Sequence, residues 1–96
     1  MFDHTHESIE AVLSVYVNTT EKKIKQYPAK WKKQWAILFY LHQFFDSNKN
    51  YSESDVNEVL RPWFEDYVRL RRDLIDFHFL RRKDDGSIYK KQVVNL

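Results

Sequence analysis

The chain has 96 residues, of which 31% are charged and 17% are aromatic, and it contains no cysteine. A chain of this length forms one small domain, and the lack of cysteine excludes both a disulfide framework and a cysteine-based zinc site. The chain has 16 basic and 14 acidic residues, so its net charge is only +2. Any preference for nucleic acid must therefore come from the distribution of charge along the chain.

The first predicted element is an amphipathic helix over residues 7–17. Its apolar residues recur at helical spacing and form one stripe. They are Ile9, Val12, Leu13, Tyr16 and Val17. We expect residues 1–20 to form an N-terminal helical extension and residues 21–92 to form a winged-helix-like core, all within a single domain over residues 1–96. Residues 20–27 fit either a short strand or a loop.

The second predicted helix begins after Pro28 and extends to about residue 45. Its apolar residues lie nearly all round the helix, which is typical of a central helix that packs on several sides. They are Trp31, Trp35, Ile37, Leu38, Phe39, Leu41, Phe44 and Phe45. Residues 46–50 are polar and predict a loop.

Two further helices are predicted in close succession. Ser52 can cap the first of them, and Asp55 adds negative charge to its first turn. Pro62 ends this helix at residue 60 or 61, because proline lacks the amide and disfavours helix in the preceding residue. The next helix covers residues 66–77 and carries one apolar stripe. The stripe consists of Tyr67, Leu70, Leu74 and Phe77.

The last predicted element is a β-hairpin. Strand-like segments at residues 79–83 and 87–91 flank Asp85 and Gly86, and Asp-Gly between such segments favours a two-residue turn. Gly86 is the only glycine in the chain, and the turn requires a positive φ there. The order of elements predicts a mainly α fold with a small β-hairpin (α+β), namely a winged helix-turn-helix with an extra N-terminal helix.

Positive charge is concentrated in two segments of the chain. Residues 22–33 contain six lysines and no acid, and residues 81–91 contain five basic residues against two acidic ones. The acidic residues gather at positions 3–10 and 46–66. This separation favours a phosphate-binding face, although the lysine segment also fits a solvated helix start.

The helix over residues 66–77 leaves two interpretations open. Arg69 and Arg72 either contact bases or phosphates, or they pair with acidic residues of the same helix. The pairs would join Arg69 to Asp66 or Asp73, and Arg72 to Asp76. Arg71 lies nearer the apolar stripe, so we expect it to form a partly buried structural pair with an acid. The predicted DNA-binding residues are Lys30, Lys32, Lys33, Arg69, Arg72, Arg81, Arg82, Lys83, Lys90 and Lys91.

The sequence contains no recognisable catalytic motif. It has no glycine-rich phosphate loop and no Gly-x-Ser-x-Gly segment, so we expect no enzymatic activity, no catalytic residues, no cofactor and no dedicated metal site. His4 and His6 can bind a metal adventitiously, whereas His42 and His78 are expected to be packing or capping residues. Residues 35–45 are the longest mainly apolar run and are too short to span a bilayer. With no signal-peptide pattern at the N-terminus, we expect a soluble cytoplasmic protein without a membrane partner.

Four segments resemble a bacterial family of unknown function, the domain family numbered 2087. They are residues 28–33, 51–60, 66–76 and 86–89, and the resemblance covers roughly residues 20–91. Its most specific part is Arg71-Arg72-x-Leu74, which leads into the hairpin. The family occurs alone or attached to ArsR-type winged-helix regulators, so the resemblance implies a transcription-linked function. The chain departs from the family pattern at His78, where a small residue or glycine commonly ends the helix, and at Pro62-Trp63.

Two functions from different classes remain open on the sequence alone. The first is a transcriptional regulator that binds double-stranded DNA, with the helix over residues 66–77 in the major groove and the hairpin on flanking phosphates. The second is a protein-interaction or dimerisation module of a regulatory complex that does not itself bind DNA. In this second function the helix over residues 7–17 packs against a partner chain instead of its own core. We expect a homodimer for either function.

Overall fold

A computed structural model describes residues 6–94 of the protein, which form four helices and two small antiparallel sheets. The helices are α1 (His6–Tyr16), α2 (Trp31–His42), α3 (Glu53–Leu60) and α4 (Tyr67–Asp76). The strands are β1 (Val17–Asn18), β2 (Lys23–Ile24), β3 (Asn50–Tyr51), β4 (Leu80–Arg82) and β5 (Tyr89–Lys91). This composition confirms the predicted α+β class, mainly helical with a small β-hairpin. Within residues 6–94, no helix is both long and apolar enough to cross a membrane.

Helix α1 packs on α2 through the stripe that the sequence predicts. Ile9 and Val17 are buried, and the stripe residues between them pack against the same core. After α1 the chain reverses, and Val17 pairs with Ile24 in the β1–β2 ladder. The segment left open between strand and loop is therefore a turn followed by a two-residue strand. Because the stripe is covered by the chain's own α2, only the outer side of α1 remains exposed.

Helix α2 is the central element of the core. Ala36, Ile37 and Leu38 in its middle have no exposed surface, as expected for a helix surrounded by packing partners. The prediction of a central helix that packs on several sides is confirmed for this part, although Trp31 is 52% exposed and Phe44 is 46% exposed. Trp31 is the first residue of α2, and Phe44 follows its last turn, so neither lies in the part that other elements enclose.

Helix α3 begins with the predicted cap. The Ser52 hydroxyl accepts a hydrogen bond from the Asp55 amide, and the Asp55 carboxylate accepts one from the Ser52 amide, both at 3.0 Å. Hydrogen bonding from the Ser52 amide, followed by that from its side chain, lowers the pKa of Asp55 because it stabilises the carboxylate. The helix ends at Leu60, two residues before Pro62, as predicted.

The connection from α3 to α4 is anchored to the rest of the fold. The Ile24 amide donates to the Trp63 carbonyl at 2.7 Å, and the Trp63 side chain is buried against Tyr40 and Phe44. Helix α4 then begins at the Asp66 cap, whose carboxylate accepts from the Arg69 amide at 3.2 Å. The orientation of α4 is thus set from its first turn.

The three-stranded sheet has the order β3-β5-β4 and includes one strand that the sequence does not predict. This strand, β3, lies at the end of the segment predicted to be a polar loop, and its Tyr51 pairs with Tyr89 of β5. Gly86 has a φ of 76°, which confirms the predicted positive φ. The predicted two-residue turn is wrong, because β4 ends at Arg82 and β5 begins at Tyr89.

A longer turn closes the β4–β5 hairpin. The Gly86 amide donates to the Lys83 carbonyl, and the Lys83 amide donates to the Ile88 carbonyl, each at 2.8 Å. The Asp85 carboxylate accepts hydrogen bonds from the side chain and the amide of Ser87, which lower the pKa of Asp85. Since Asp85 bonds forward to Ser87, both residues belong to the turn and are not part of a strand.

Candidate functional site

The outward face of α4 carries a ridge of three side chains. Val68, Arg72 and Asp76 follow one another at four-residue spacing, and each lines both of the depressions that flank the helix. Val68 is 41% exposed although it is apolar. On the opposite side of the helix, Leu70 and Leu74 are fully buried. We call Val68, Arg72 and Asp76 the α4 ridge.

Arg69 is held beside the ridge by a carboxylate and an aromatic ring. Its Nε lies 3.5 Å from Oδ2 of Asp73, and its guanidinium lies 5.0 Å from the ring centroid of Tyr27. The Tyr27 hydroxyl donates to the same Asp73 oxygen at 2.7 Å. Burial, followed by the bond to Asp73, raises the pKa of Tyr27, so its hydroxyl stays a donor. Arg69 thus forms the predicted intrahelical pair with Asp73, and its contact with bases or phosphates stays a prediction.

Arg71 links α4 to α3, as its predicted structural role requires. Its guanidinium lies 3.1 Å from the Glu53 carboxylate and donates to the Asn57 side chain at 2.5 Å. The Arg71 side chain is only 17% exposed. The expectation of a partly buried structural pair is confirmed, and this guanidinium is occupied within the fold.

Arg72 differs from both neighbouring arginines. With the other residues that the structure describes, it forms no hydrogen bond and no ion pair within 4 Å, so the alternative pair with Asp76 is not made. The two acidic residues also differ in their contacts, because Tyr27 bonds to Asp73 whereas no residue of the described segment bonds to the Asp76 side chain. Arg72 is thus the α4 arginine whose guanidinium remains available.

A groove of about 340 Å³ separates α4 from the hairpin. Its helix side includes Arg72 and Ile75, and its hairpin side is formed by Arg82 and Tyr89. Arg82 stands opposite Tyr89 in the β4–β5 register, so both side chains lie on the sheet face that meets α4. The groove therefore brings cations of two separate elements together beside apolar side chains.

The other predicted hairpin cations lie elsewhere. Arg81 pairs with Lys90 across the two strands, which places both on the face of the sheet turned away from the groove. Lys83 is exposed at the start of the turn. Lys91 is half-buried opposite Leu80, on the core side of the sheet. Among these residues Arg82 lines the groove that contains Arg72, whereas Arg81 and Lys83 line a different depression beside Ile75 of α4.

The three predicted lysines lie at the start of α2. Lys30 is the exposed N-cap residue, and Lys32 is exposed with its Nζ 5.8 Å from the Trp31 ring centroid. Lys33 is half-buried and donates to the Tyr16 hydroxyl at 3.3 Å, which ties α2 to α1. The hydrogen bond of Tyr27 to α4 shows that the chain just before these lysines contacts α4.

His42 has the packing role that the sequence predicts. Its ring lies 5.0 Å from that of Phe39 and 4.8 Å from that of Phe79, and its Nδ1 donates to the Phe39 carbonyl. Burial lowers the pKa of His42. In the part of the chain that the structure describes, no group of three acidic or histidine side chains is arranged to hold a metal. His4 lies outside the described residues.

These elements fall within a segment shared with other proteins. Residues 23–91 match the family model described as an uncharacterized protein conserved in bacteria (DUF2087). The chain belongs to the DUF2087 family. This confirms the resemblance seen in the sequence, and the match extends from β2 to β5, so it includes every predicted DNA-binding residue and leaves α1 outside. Comparisons with curated proteins and with solved structures give no match.

Sequence reasoning missed two residues of the site in this DUF2087 chain. Tyr27 has no local signal, because the carboxylate it bonds lies 46 residues away along the chain. Val68 does have one, since it is an apolar residue of α4 outside the buried stripe. A single exposed apolar side chain is common on protein surfaces, so it is the position of Val68 beside Arg72, which only the structure shows, that places it in the site.

Proposed function

We propose that the protein binds double-stranded DNA as a winged helix-turn-helix and acts in transcription regulation. In this proposal α4 is the recognition helix, which enters the major groove, and the β4–β5 hairpin is the wing, which contacts flanking phosphates. The order of elements supports it, because the helix pair α3 and α4 is followed directly by the hairpin. The sheet order supports it as well, since β5 lies between β4 and the short β3 that precedes α3.

The observation that carries the proposal is the groove between α4 and the hairpin. Arg72 from the helix and Arg82 from the hairpin both line it. A helix in the major groove is flanked by phosphate backbone, so the cations beside it are placed to meet phosphate. The hairpin face with Arg81 and Lys90 adds positive charge beyond the groove.

The Tyr27 network removes an objection to this proposal. Asp73 lies on the recognition helix, and a free carboxylate there would repel phosphate. Its side chain is only 14% exposed, and the Asp73 carboxylate is bound by both the Tyr27 hydroxyl and Arg69. The negative charge that α4 turns to solvent is therefore reduced, and Asp76 is the acidic residue left on the ridge.

Charge-removing variants test the proposal. Arg82→Ala should weaken binding to random-sequence duplex DNA and reduce the slope of log affinity against log salt by about 1, as expected for a phosphate contact. Arg72→Ala should also weaken binding, because it removes a cation from the helix that enters the major groove. Arg61→Ala is the matched control, since this exposed arginine lines a different depression, with Lys23 and Pro62. Fluorescence-anisotropy titrations at several salt concentrations measure all four proteins. Equal slopes for all of them would contradict the proposed contact surface.

A specific observation also favours the alternative, a protein-interaction or dimerisation module that does not bind DNA. Val15 on α1 is 61% exposed, and Phe44, which packs beside Trp63, is 46% exposed. Such apolar residues fit a partner surface outside the groove. Because the inner stripe of α1 packs on α2, a partner would have to use the outer side of α1. A homodimer through α1 stays a prediction, which light scattering of the intact chain at rising concentration tests.

A further inference from the structure

Helix α4 carries three arginines, and the fold uses two of them. Arg69 is held by Asp73 and Tyr27, and Arg71 is held by Glu53 and Asn57. A guanidinium that already has partners must lose them before it reaches a base, which costs the strength of charge-assisted bonds. Arg72 has no such partners among residues 6–94 and lies at the centre of the α4 ridge.

The negative charge of Asp76, at the end of the ridge, is unfavourable at its position in α4. It lies in the last turn of α4, where the helix dipole disfavours negative charge. It has no ion pair with the other described residues to compensate. A carboxylate near DNA repels phosphate but accepts a hydrogen bond from the amino group of cytosine. Residues that break a local rule without compensation are candidates for function.

Val68, at the start of the ridge, offers only an apolar surface. An apolar side chain in the major groove can recognise the methyl group of thymine, which no other base carries. Arginine binds guanine through O6 and N7, which is the commonest specific contact of proteins with DNA. The three ridge residues are therefore chemically complementary to three different base edges.

We propose that the α4 ridge is the sequence-reading edge of the protein, with Val68 on a thymine methyl, Arg72 on a guanine and Asp76 on a cytosine amino group. The inference rests on the proposed DNA binding and adds which residues determine specificity. Arg69 and Arg71 are positioning residues, since they fix α4 against Tyr27 and against α3.

The ridge also constrains the spacing of the bases. Residues four apart on a helix are separated by about 6 Å along its axis, and successive base pairs are separated by about 3.4 Å. With α4 lying along the groove, the thymine recognised by Val68 and the guanine recognised by Arg72 fall about two base pairs apart. The preferred site should contain this pair of bases at a fixed spacing.

Selection from a random duplex library tests the inference directly. Sites enriched by the intact protein should contain a guanine at one position, and Arg72→Ala should lose that preference. Affinity of Arg72→Ala for the best site should fall roughly 5- to 150-fold, the range for one bidentate base contact. Arg61→Ala is the matched control, since this arginine lines a different depression, and its selected sites should retain the same guanine. Circular dichroism checks that both variants are folded.

Modified bases test the same contacts without any change to the protein. Replacing the selected thymine by deoxyuridine removes only the methyl group, and this should weaken binding of the intact protein but not of Val68→Ala. Replacing the guanine by 7-deazaguanine removes N7, and this should weaken the intact protein but not Arg72→Ala.

The outcomes separate the inference from the proposed function. DNA binding without base preference, or a guanine preference that Arg72→Ala retains, would overturn the inference and leave DNA binding standing. Sensitivity to both modified bases in the intact protein, lost in the matching variants, would support the inference. Absence of any DNA binding at low salt would overturn both.

Discussion

His78 ends α4 in a conformation that favours glycine. Its φ is 65°, and it follows the last helical turn. The Phe79 amide donates to the Leu74 carbonyl at 2.8 Å, and the His78 amide donates to the Ile75 carbonyl at 3.0 Å. This pair of bonds is a Schellman motif, in which the left-handed position is usually glycine. His78 therefore occupies a backbone position that glycine usually fills, which is where it departs from the family pattern.

Two replacements of His78, by glycine and by valine, should change the free energy of unfolding in opposite directions. His78→Gly should stabilise the protein by about 0.5–1 kcal/mol, since relief of the left-handed strain exceeds the extra entropy of the unfolded chain. His78→Val should destabilise it by about 1 kcal/mol, because a β-branched residue fits this φ poorly. Thermal unfolding measures both, and each kcal/mol should shift the midpoint by about 4–8 °C. A lower midpoint for the glycine variant would contradict this account.

Residue-level signals were predictable from sequence wherever the cause is local. Ser52 and Asp55 cap each other three residues apart, Pro62 stops α3, and Gly86 has the expected positive φ. In each case the physical cause lies within a few residues of the effect. The prediction of a two-residue turn was wrong although its cause is also local. The Asp85 carboxylate accepts hydrogen bonds from Ser87, and this extends the turn.

At the scale of elements, α4 is fixed by two polar links that come from distant parts of the chain. Tyr27 and Asp73 join it to the segment before α2, and Arg71 joins it to α3. Such links determine which of the arginines on α4 remain available. They were not predictable from spacing alone, because Arg69 and Arg72 each have an acidic residue four positions later.

Removal of one hydroxyl should weaken the first link. Tyr27→Phe should lower the free energy of unfolding by about 1–2 kcal/mol, because the half-buried Asp73 carboxylate loses a charge-assisted hydrogen bond. Tyr67→Phe is the matched control, since Tyr67 is also half-buried but its hydroxyl bonds to no other residue in the described range 6–94. Urea denaturation measures both variants. Equal losses would show that the Tyr27 bond contributes nothing specific.

Short strands were the elements least accessible to sequence reasoning. Strand β3 has two residues, and it exists because Asn50 and Tyr51 pair with Lys90 and Tyr89 almost forty positions later. A two-residue segment has no periodicity of its own, so pairing and not pattern determines it. The helices, in contrast, were predictable from local signals. Helices α1 and α4 each carry an apolar stripe, α2 is apolar nearly all round, and α3 is bounded by the Ser52 cap and Pro62.

At the scale of the whole molecule, the fold separates surfaces of different chemistry. The groove between α4 and the hairpin brings Arg72 and Arg82 together beside the exposed Val68, whereas the exposed Val15 and Phe44 lie elsewhere, on α1 and after α2. The net charge of +2 does not indicate this separation of charged and apolar surfaces. Sequence reasoning identified the cations, but the structure shows that Lys33 is tied to Tyr16 and that Lys91 is half-buried.

Double-stranded DNA is the proposed ligand of this protein, and one titration can establish whether it binds. Fluorescence-anisotropy titration of the intact chain with random-sequence duplex DNA, first at low salt and then at rising salt, tests it most directly. We expect micromolar binding that weakens steeply as salt increases, because phosphate contacts release counterions. Absence of binding at low salt would contradict the account and would leave the protein-interaction module as the function to pursue.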